Sequence, residues 1–164
     1  MTQGSKVPLS LFVPCKNEEI NLARCLHSVP WIDEIFVVDS QSTDRTTSIA
    51  DEYGAKVMQF EYKGGWPKKK NWALENLPFS NEWVLILDAD ECLPPEAEEE
   101  IKKIVTDPKE THSGYWINRR YFFLGQPLKH SYFPNWNLRL FKHKFGRYEK
   151  ITDLMTESGD HEIH

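Results

Sequence analysis

Three polar clusters in this sequence each follow a short apolar run: residues 14–19 (PCKNEE), 39–44 (DSQSTD) and 88–91 (DADE). If each apolar run is a buried strand of one parallel sheet, the clusters meet at the carboxyl edge of that sheet, where open α/β sheets bind ligands. A single acid after a strand is more often a turn former or a helix cap. Three such clusters at one edge favour a binding site.

The third cluster has the chemistry of a cation site. Asp88 and Asp90 are two residues apart, so in extended backbone their carboxylates leave the same face. Mg²⁺ and Mn²⁺ take oxygen ligands from one or two carboxylates and from phosphates. The pair therefore predicts a site for a cation that carries a diphosphate. The alternative is that Asp90 or Glu91 only favours the N-terminus of the next helix.

The second cluster has the chemistry of a nucleotide-base site. The carboxylate of Asp39 can accept a hydrogen bond from a base imide N–H, and Ser40, Ser42 and the N-terminus of the following helix can serve nearby oxygens. Simple capping of that helix by Ser42 or Thr43 is the alternative, and both can hold together.

A run of three lysines, residues 68–70, stands at the start of a predicted helix. Such a run is usually a solvated face. Positive charge at the N-terminus of a helix is unfavourable for the helix dipole, however. A phosphate partner for one of the lysines would offset this. Both interpretations stay open.

Strands and helices that would hold these clusters alternate along the first two thirds of the chain. Apolar runs predict strands at residues 9–13, 34–38, 56–60 and 83–87, and helical spacing predicts helices at residues 22–29, from 42 or 43 to 53, at 68–77 and from 94 onward. Gly54 suits the left-handed position after the second helix. This order predicts a mainly parallel α/β sheet. Residues 113–148, rich in aromatic residues and Arg, predict irregular antiparallel structure flanking it.

Bulk properties are those of one globular domain of 164 residues. The formal net charge of −5 argues against general nucleic-acid binding. No segment approaches the roughly 20 apolar residues of a membrane span, and the N-terminus lacks the apolar core of a signal peptide. Cys15, Cys25 and Cys92 form no CxxC pattern and are expected to be reduced, packed thiols of a cytoplasmic protein.

Four stretches carry a resemblance to a known family: LSLFVPCKNEE, IFVVDSQSTDRT, KKKNWAL and WVLILDADE, in that order, between residue 9 and about residue 105. The chain resembles glycosyltransferase family 2. This implies the GT-A fold, a Rossmann-like and mainly parallel sheet flanked by helices. It also implies an inverting, metal-dependent enzyme that takes a sugar from a nucleotide diphosphate.

The resemblance assigns the first two clusters to the nucleoside. Pro14, Asn17 and Glu18 match the positions that hold base and ribose, with Glu18 at the carboxylate position. Asp39 matches the acid that reads the base, usually uracil, which makes a UDP-linked donor the expected one.

The resemblance assigns the later stretches to the diphosphate and the sugar. Lys70 and Asn71 match a basic–Asn pair near the bound nucleotide. Asp88 matches a catalytic-site acid against the ribose and donor sugar. Asp90 matches the metal ligand of a DxD motif, with Mn²⁺ or Mg²⁺ as the implied cofactor.

A looser likeness covers the end of the chain. The stretch WNLRLFKHKFGRYE, with Trp136, Arg139 and Phe141, and the terminal GDHEIH resemble a bacterial branch of lipopolysaccharide-core and cell-envelope sugar transferases. This implies a saccharide or glycolipid acceptor, with peripheral association at the inner face of the membrane left open. We expect residues 1–107 to bind the nucleotide sugar and residues 108–164 to form an acceptor-side segment of one domain, incomplete because family members continue further.

Inverting transfer also needs a carboxylate that takes the proton of the acceptor hydroxyl. The candidates after residue 145 are Glu149, Asp153, Glu157, Asp160 and Glu162. Glu162 is our choice because the GDHEIH stretch lies where the branch has its acidic acceptor-side motif. Two alternatives remain: acids in a terminal stretch are usually solvated, and the base can lie beyond His164.

Other functions fit less well. A dinucleotide-binding Rossmann enzyme needs a glycine-rich turn after the first strand, and the turn here is PCKNEE. His161 and His164 supply two ligands, too few for a zinc site. The competing hypothesis is a non-catalytic domain of the same fold that binds a nucleotide sugar or acts as a scaffold.

Overall fold

Strands and helices alternate through the first two thirds of the chain, as the apolar pattern predicts. A computed structural model describes residues 5–128 and 133–149. In these residues the strands are β1 (Val7–Cys15), β2 (Ile32–Asp39), β3 (Lys56–Gln59), β4 (Trp83–Ile86), β5 (Gly114–Asn118), β6 (Phe122–Phe123), β7 (Gln126–Pro127) and β8 (Trp136–Lys142). The helices are α1 (Leu22–His27), α2 (Thr46–Glu52), α3 (Lys69–Asn76) and α4 (Pro95–Thr106). None of these helices is long and apolar enough to cross a bilayer.

Six of the strands form one sheet in the order β3-β2-β1-β4-β8-β5. The pairs β1–β2, β1–β4 and β2–β3 are parallel, while β8 is antiparallel to both of its neighbours. The topological switch falls at β1, which has β2 on one side and β4 on the other. The predicted mainly parallel α/β sheet flanked by helices is confirmed, and its order is that of a GT-A fold.

The aromatic segment after α4 is antiparallel, as the sequence predicted, and two of its strands join the edge of this sheet. β8 carries Leu140 and Phe141, both buried, and hydrogen-bonds along β4. Two buried apolar side chains in succession let a strand bury both faces at the interior of a sheet. Only β6 and β7 stand apart, as a separate two-stranded sheet.

Alternate residues of β1 point into two cores. Leu9, Leu11 and Val13 pack with α1, α2 and α4 on one face of the sheet. Phe12 packs with α3 and with Phe36 of β2 on the other. A strand buried on both faces in this way reads as a continuous apolar run, which explains why β1, β2 and β4 were recognisable from sequence.

Glu34, in β2, is a buried acid that ties four segments together. Its carboxylate accepts hydrogen bonds from the Ser10 hydroxyl at 2.7 Å, from Lys56 Nζ at 3.0 Å, and from the Ser80 backbone N–H at 2.9 Å and hydroxyl at 3.0 Å. Burial raises the pKa of Glu34, but these hydrogen bonds outweigh it and lower the pKa below its usual value. The carboxylate therefore stabilises the fold in its ionised form.

Three local predictions need correction. Helix α2 begins at Thr46 with Arg45 at the N-cap and no side-chain cap, so the predicted cap by Ser42 or Thr43 is wrong. The Ser42 hydroxyl is instead bonded to Asp39. Gly54 does follow α2 with a left-handed φ of 70°, as predicted.

The other two corrections concern the end of α1 and the cysteines. Helix α1 ends at His27, before the predicted residue 29. Cys15 and Cys25 are buried free thiols, and burial raises the pKa of each well above its ordinary value. Cys92 is free but exposed, so it is not the packed thiol that the sequence predicted.

Candidate active site at the carboxyl edge of the sheet

The three polar clusters meet at one edge of the sheet. β1, β2 and β4 are parallel, and their register pairs Cys15 with Asp39 and Phe12 with Ile86. The segments that follow these strands therefore start side by side. Because β1 lies between β2 and β4, the ends of those two strands are roughly 10 Å apart, about two strand spacings. The segments after β2 and β4 therefore flank the end of β1 at this edge of the sheet.

The first two clusters are bonded to each other. The Asn17 backbone N–H donates to Ser42 Oγ at 2.8 Å, and Asn17 Oδ1 accepts from the Thr43 N–H at 2.9 Å. The Glu18 N–H donates to Thr46 Oγ1 at 2.8 Å. Asn17 has a left-handed φ of 55°, a conformation that Asn tolerates better than most residues. The two loops thus form one hydrogen-bonded wall at this edge of the sheet.

Other predicted residues of this wall have structural neighbours as well. The Glu18 carboxylate accepts from the Asn21 side-chain amide at 2.9 Å. Pro14 is the next-to-last residue of β1 and pairs with Val38. The Ser40 backbone N–H donates to the carbonyl of Cys15 at 3.0 Å, which continues the β1–β2 pairing past Asp39.

Asp39 is fully buried at the end of β2. Its Oδ2 accepts from the Ser42 N–H at 3.0 Å and from the Gln59 side-chain amide at 2.9 Å, and its Oδ1 accepts from the Ser42 hydroxyl. A carboxylate has about four acceptor positions, so one position remains beyond these three bonds. Asp39 is held in place by the three bonds that it accepts.

Two lysines of the 68–70 run are buried at the start of α3. Lys69 Nζ donates to the carbonyl of Cys15 at 3.0 Å, and Lys70 Nζ lies 3.1 Å from Asp88 Oδ1. Neither is the solvated side chain that a lysine run usually indicates. These contacts place two buried ammonium groups beside the end of β1 and the turn after β4, so positive charge is concentrated where the sheet edge meets α3.

Asp88 is the centre of a charge network. Its Oδ2 accepts from Arg139 Nη2 at 2.7 Å, and the same Nη2 lies 3.2 Å from Glu91 Oε1. Arg119 Nη1 lies 3.2 Å from Glu91 Oε1 and 3.7 Å from Asp88 Oδ2. Three cations and two carboxylates thus share one site. Burial raises the pKa of Asp88, but the hydrogen bond from Arg139 and the charge of Lys70 outweigh it and hold that pKa far below its usual range.

The sequence did not indicate that three members of this network would lie beside Asp88. Glu91 was read as a residue that favours the next helix, and the Asp88 N–H donates to its Oε2 at 2.8 Å. Arg119 and Arg139 were considered as contacts for an anionic acceptor or as salt bridges. The structure places both in salt bridges. One signal was available for Arg139: it is the single charge in the apolar run at residues 138–141.

Asp88 and Asp90 do not share a face. The Glu91 N–H donates to the carbonyl of Asp88 at 2.9 Å, which closes a turn over the residues between them. The extended backbone considered from sequence is therefore absent at this point. Asp88 is drawn toward Arg139, while the side chain of Asp90 is exposed, and its carbonyl accepts from Arg24 Nη2 at 3.2 Å.

The donor set suits a divalent cation only if the ligand supplies most of the coordination. The residues described contain no group of three or more His, Cys, Asp or Glu side chains arranged for a metal ion. Both oxygens of Asp88 face cations already. Asp90 offers one exposed carboxylate, which fits Mg²⁺ or Mn²⁺ held by one protein carboxylate, phosphate oxygens and water.

Asn71 is buried beside the lysines and holds the end of the described chain. Its amide donates to the carbonyl of Tyr148 at 2.9 Å, and its Oδ1 accepts from the Tyr148 N–H at 2.9 Å. The Tyr148 ring lies 5.6 Å from Lys70 Nζ. Of the base candidates, Glu149 is exposed; Asp153, Glu157, Asp160 and Glu162 lie outside the described residues.

A family model described as glycosyl transferase family 2 matches residues 10–158. The chain belongs to glycosyltransferase family 2. Within this family it is similar to an uncharacterized glycosyltransferase of Rickettsia typhi, with 36% identity over 151 residues that cover 90% of this chain and 51% of the relative. It is also similar to the lipopolysaccharide core biosynthesis glycosyltransferase LpsC of Rhizobium meliloti, with 33% identity, covering 88% of this chain and 54% of that protein.

The family 2 chain spans about half the length of these curated relatives. Among solved structures, it is similar to a crystal structure of S. aureus TarS 1-349, with a TM-score of 0.52 and 23% identity, covering 82% of this chain and 47% of that one. At this identity the likeness concerns the fold, and it agrees with the GT-A sheet order described above.

Proposed function

We propose that this chain binds a UDP-linked sugar and transfers the sugar, with inversion, to a saccharide or glycolipid acceptor of the bacterial envelope. The observation that carries the proposal is the placement of Asp39 and Asp88 on either side of the end of β1, at the switch point of a family 2 sheet. Ligands of open α/β sheets bind at that point. The similarity to a lipopolysaccharide core transferase supports the acceptor class.

Asp39 is the proposed reader of the base. Uracil carries an imide N–H, and a carboxylate is acceptor-only when ionised, so the remaining acceptor position of Asp39 suits that donor. The wall formed by Pro14, Asn17 and Glu18 would lie beside the base and ribose. Ser42 acts on the ligand indirectly in this proposal, since it holds Asp39 in position through two hydrogen bonds.

The diphosphate would lie between α3 and the Asp88–Asp90 turn. Lys70 and Asn71 at the start of α3 supply positive charge and a fixed amide, and Asp90 would hold a Mn²⁺ or Mg²⁺ ion from the solvent side. A divalent cation bound there would offset charge on the departing nucleotide. Asp88, ionised and fixed by Arg139 and Lys70, would accept hydrogen bonds from ribose or sugar hydroxyls.

Transfer itself needs a base on the acceptor side. A carboxylate takes the proton of the acceptor hydroxyl while the hydroxyl oxygen attacks the anomeric carbon of the donor sugar. The bond from that carbon to the diphosphate breaks at the same time. Glu162 remains our proposal for this base. We also retain the division into a nucleotide-sugar half, residues 1–107, and an acceptor-side segment, residues 108–164. The second segment additionally supplies Arg119 and Arg139 to Asp88.

The proposal is tested first by the base specificity of binding. The chain should bind UDP more tightly than CDP, because cytosine has an acceptor where uracil has its imide N–H. Asp39→Asn should weaken UDP binding by about tenfold to a hundredfold, the scale of one hydrogen bond to a charged group, and should reduce the preference over CDP. Calorimetric titration measures both. Equal affinity for the two nucleotides in the unmodified chain would refute uracil recognition.

Catalysis is tested separately from binding. Release or transfer of label from UDP-sugar donors, in a panel with Mn²⁺, distinguishes a transferase from a domain that only binds. Tight UDP binding without any turnover of any donor would favour the non-catalytic alternative for this chain.

A further inference from the structure

The charge of this chain is distributed very unevenly. Residues 111–148 contain seven Lys and Arg residues and no Asp or Glu, whereas the other residues contain 13 Lys and Arg and all 25 acids. The acid-free segment also holds 11 of the 21 aromatic residues. Three of these cations, Arg119, Arg139 and Lys142, are paired with acids outside the segment. Arg120 is exposed, and an exposed cation without acids close to it in sequence favours an anionic partner for this part of an otherwise acidic chain.

Within this segment the β6–β7 hairpin exposes three large apolar side chains in succession. Phe122, Phe123 and Leu124 are 63%, 65% and 87% exposed. Leu124 and Gly125 form its tip, both with a left-handed φ, of 48° and 77°. Neighbouring strand residues face opposite sides, so neither side of the hairpin is covered by other described residues. A two-stranded hairpin without a packed face is marginal in water and gains stability from an apolar partner.

Further exposed aromatic residues lie at the same end of the sheet. The hairpin falls in the connection from the end of β5 to the start of β8, where Trp136 is 58% exposed. Asn118 pairs with Trp136 and Trp116 with Leu138, so both tryptophans are on one face of the last two strands. Exposed Arg120 lies two residues before β6, the first strand of the hairpin.

This end of the sheet is also the edge that carries the candidate site. β8 is antiparallel to β4, so the start of β8 lies beside the end of β4, which leads into Asp88. Arg119, next to Arg120, lies within 3.7 Å of Asp88. A surface that receives the hairpin would therefore lie beside the site where transfer is proposed to occur.

We propose that the β6–β7 hairpin, with Arg120 and Trp136, docks this edge of the chain onto an anionic lipid surface. Aromatic side chains favour the interface between lipid and water, where an apolar ring and a polar rim are both satisfied. Each Lys or Arg near an anionic leaflet adds further attraction. A second copy of the chain is a poorer partner for this face, since a symmetric contact would place the exposed Arg120 side chains of two copies close together. The docking deepens the proposed function, on which it rests for its glycolipid acceptor.

Vesicle sedimentation with the full 164-residue chain tests the docking. We expect the chain to bind phosphatidylcholine vesicles that contain phosphatidylglycerol, to bind pure phosphatidylcholine at least tenfold less, and to dissociate in high salt. The triple variant Phe122→Ser, Phe123→Ser, Leu124→Ser should lower the partition coefficient at least tenfold. Arg120→Gln should lower it about fivefold.

Matched controls use exposed residues outside the segment. Ile20→Ser, at a site that is 88% exposed, and Arg45→Gln, in an exposed ion pair, should leave the partition coefficient unchanged. No binding by the unmodified chain, or equal binding by the triple variant, overturns the proposal. Self-association that the triple variant abolishes would also overturn it, in favour of a second copy. UDP titration of the same samples is independent: failure there counts against the proposed function and leaves the lipid result intact.

Discussion

Replacing Arg139 by Met would leave two carboxylates facing an apolar side chain in the interior of the sheet. The Arg139 side chain is only 3% exposed, and its Nη2 contacts Asp88 at 2.7 Å and Glu91 at 3.2 Å. Its Nη1 is buried without a hydrogen-bond partner in the described part of the chain. The guanidinium is therefore committed to these two acids, and its removal uncovers their charges.

The expected loss in the free energy of unfolding depends on which cations remain beside the two acids. Removing one partner of a buried ion pair costs about 3–5 kcal/mol, because the other charge stays buried and unpaired. Here Lys70 remains 3.1 Å from Asp88, and Arg119 remains 3.2 Å from Glu91. The lower end of that range, about 3 kcal/mol, is therefore expected for Arg139→Met. For a domain of this size, that is a fall in Tm of roughly 6–12 °C.

Urea denaturation at neutral pH measures this loss, with an unchanged dependence on urea expected if both states keep their compactness. Arg45→Met is the matched control. It makes the same substitution in an ion pair with Glu52 whose side chains are 71% and 60% exposed, and it should change the free energy of unfolding by less than about 0.5 kcal/mol. If Arg139→Met costs no more than Arg45→Met, the network is not a stabilising element.

A double-mutant cycle isolates the interaction energy between Arg139 and Asp88 from their contacts with other residues. Asp88→Asn removes the charge that Arg139 faces, so Arg139→Met should cost less in the Asp88→Asn background. The difference, the interaction energy of the pair, should be about 1–3 kcal/mol. Full additivity of the two substitutions would contradict the direct contact seen between their side chains.

Three further outcomes are expected. Asp90→Ala should abolish Mn²⁺-dependent UDP binding and leave the urea midpoint unchanged, because its side chain is exposed; equal UDP affinity of the unmodified chain with and without chelator would refute a metal role. Glu34→Gln should lose most stability above the ordinary Glu pKa of about 4.3, and its deficit should shrink as the pH falls through the lowered pKa of Glu34; parallel acid-unfolding curves for the two proteins would contradict this. Glu162→Gln should slow single-turnover transfer without affecting UDP binding, and unchanged transfer would eliminate Glu162 as the base.

The parallel half of the fold was predictable because its signals are local. Strands β1, β2 and β4 are buried on both faces, so each is a short and nearly continuous apolar run ended by polar residues. Gly54 marks the end of α2 through its backbone conformation alone. These apolar runs and turn residues are visible within a few neighbouring residues of the sequence. Together they are enough to predict that the three polar clusters lie at the carboxyl edge of one sheet.

The remaining features depend on which of several polar partners a side chain meets in the folded chain. Lys69 and Lys70 look like a solvated run until β1 and the turn after β4 supply a carbonyl and a carboxylate to them. From sequence, Ser42 is a reasonable helix cap, but in the structure its hydroxyl donates to Asp39, three residues earlier. The start of α2 then moves to Thr46. In each case a polar side chain had two chemically reasonable partners, and only the fold decided between them.

The different surroundings of Asp88 and Asp90 argue for different roles within one motif. Asp88 faces Lys70 and Arg139 with separate oxygens, so a cation bound directly to it would have to displace an existing ion pair. Asp90 has no such competitor among the described residues and is open to solvent. A metal ion would therefore be bound at lower electrostatic cost by Asp90, while Asp88 would serve as a fixed acceptor for hydroxyl groups under the proposed function. Because Arg139 comes from β8, this arrangement exists only when the antiparallel segment has joined the sheet, which couples the donor site to the correct folding of the segment proposed to receive the acceptor.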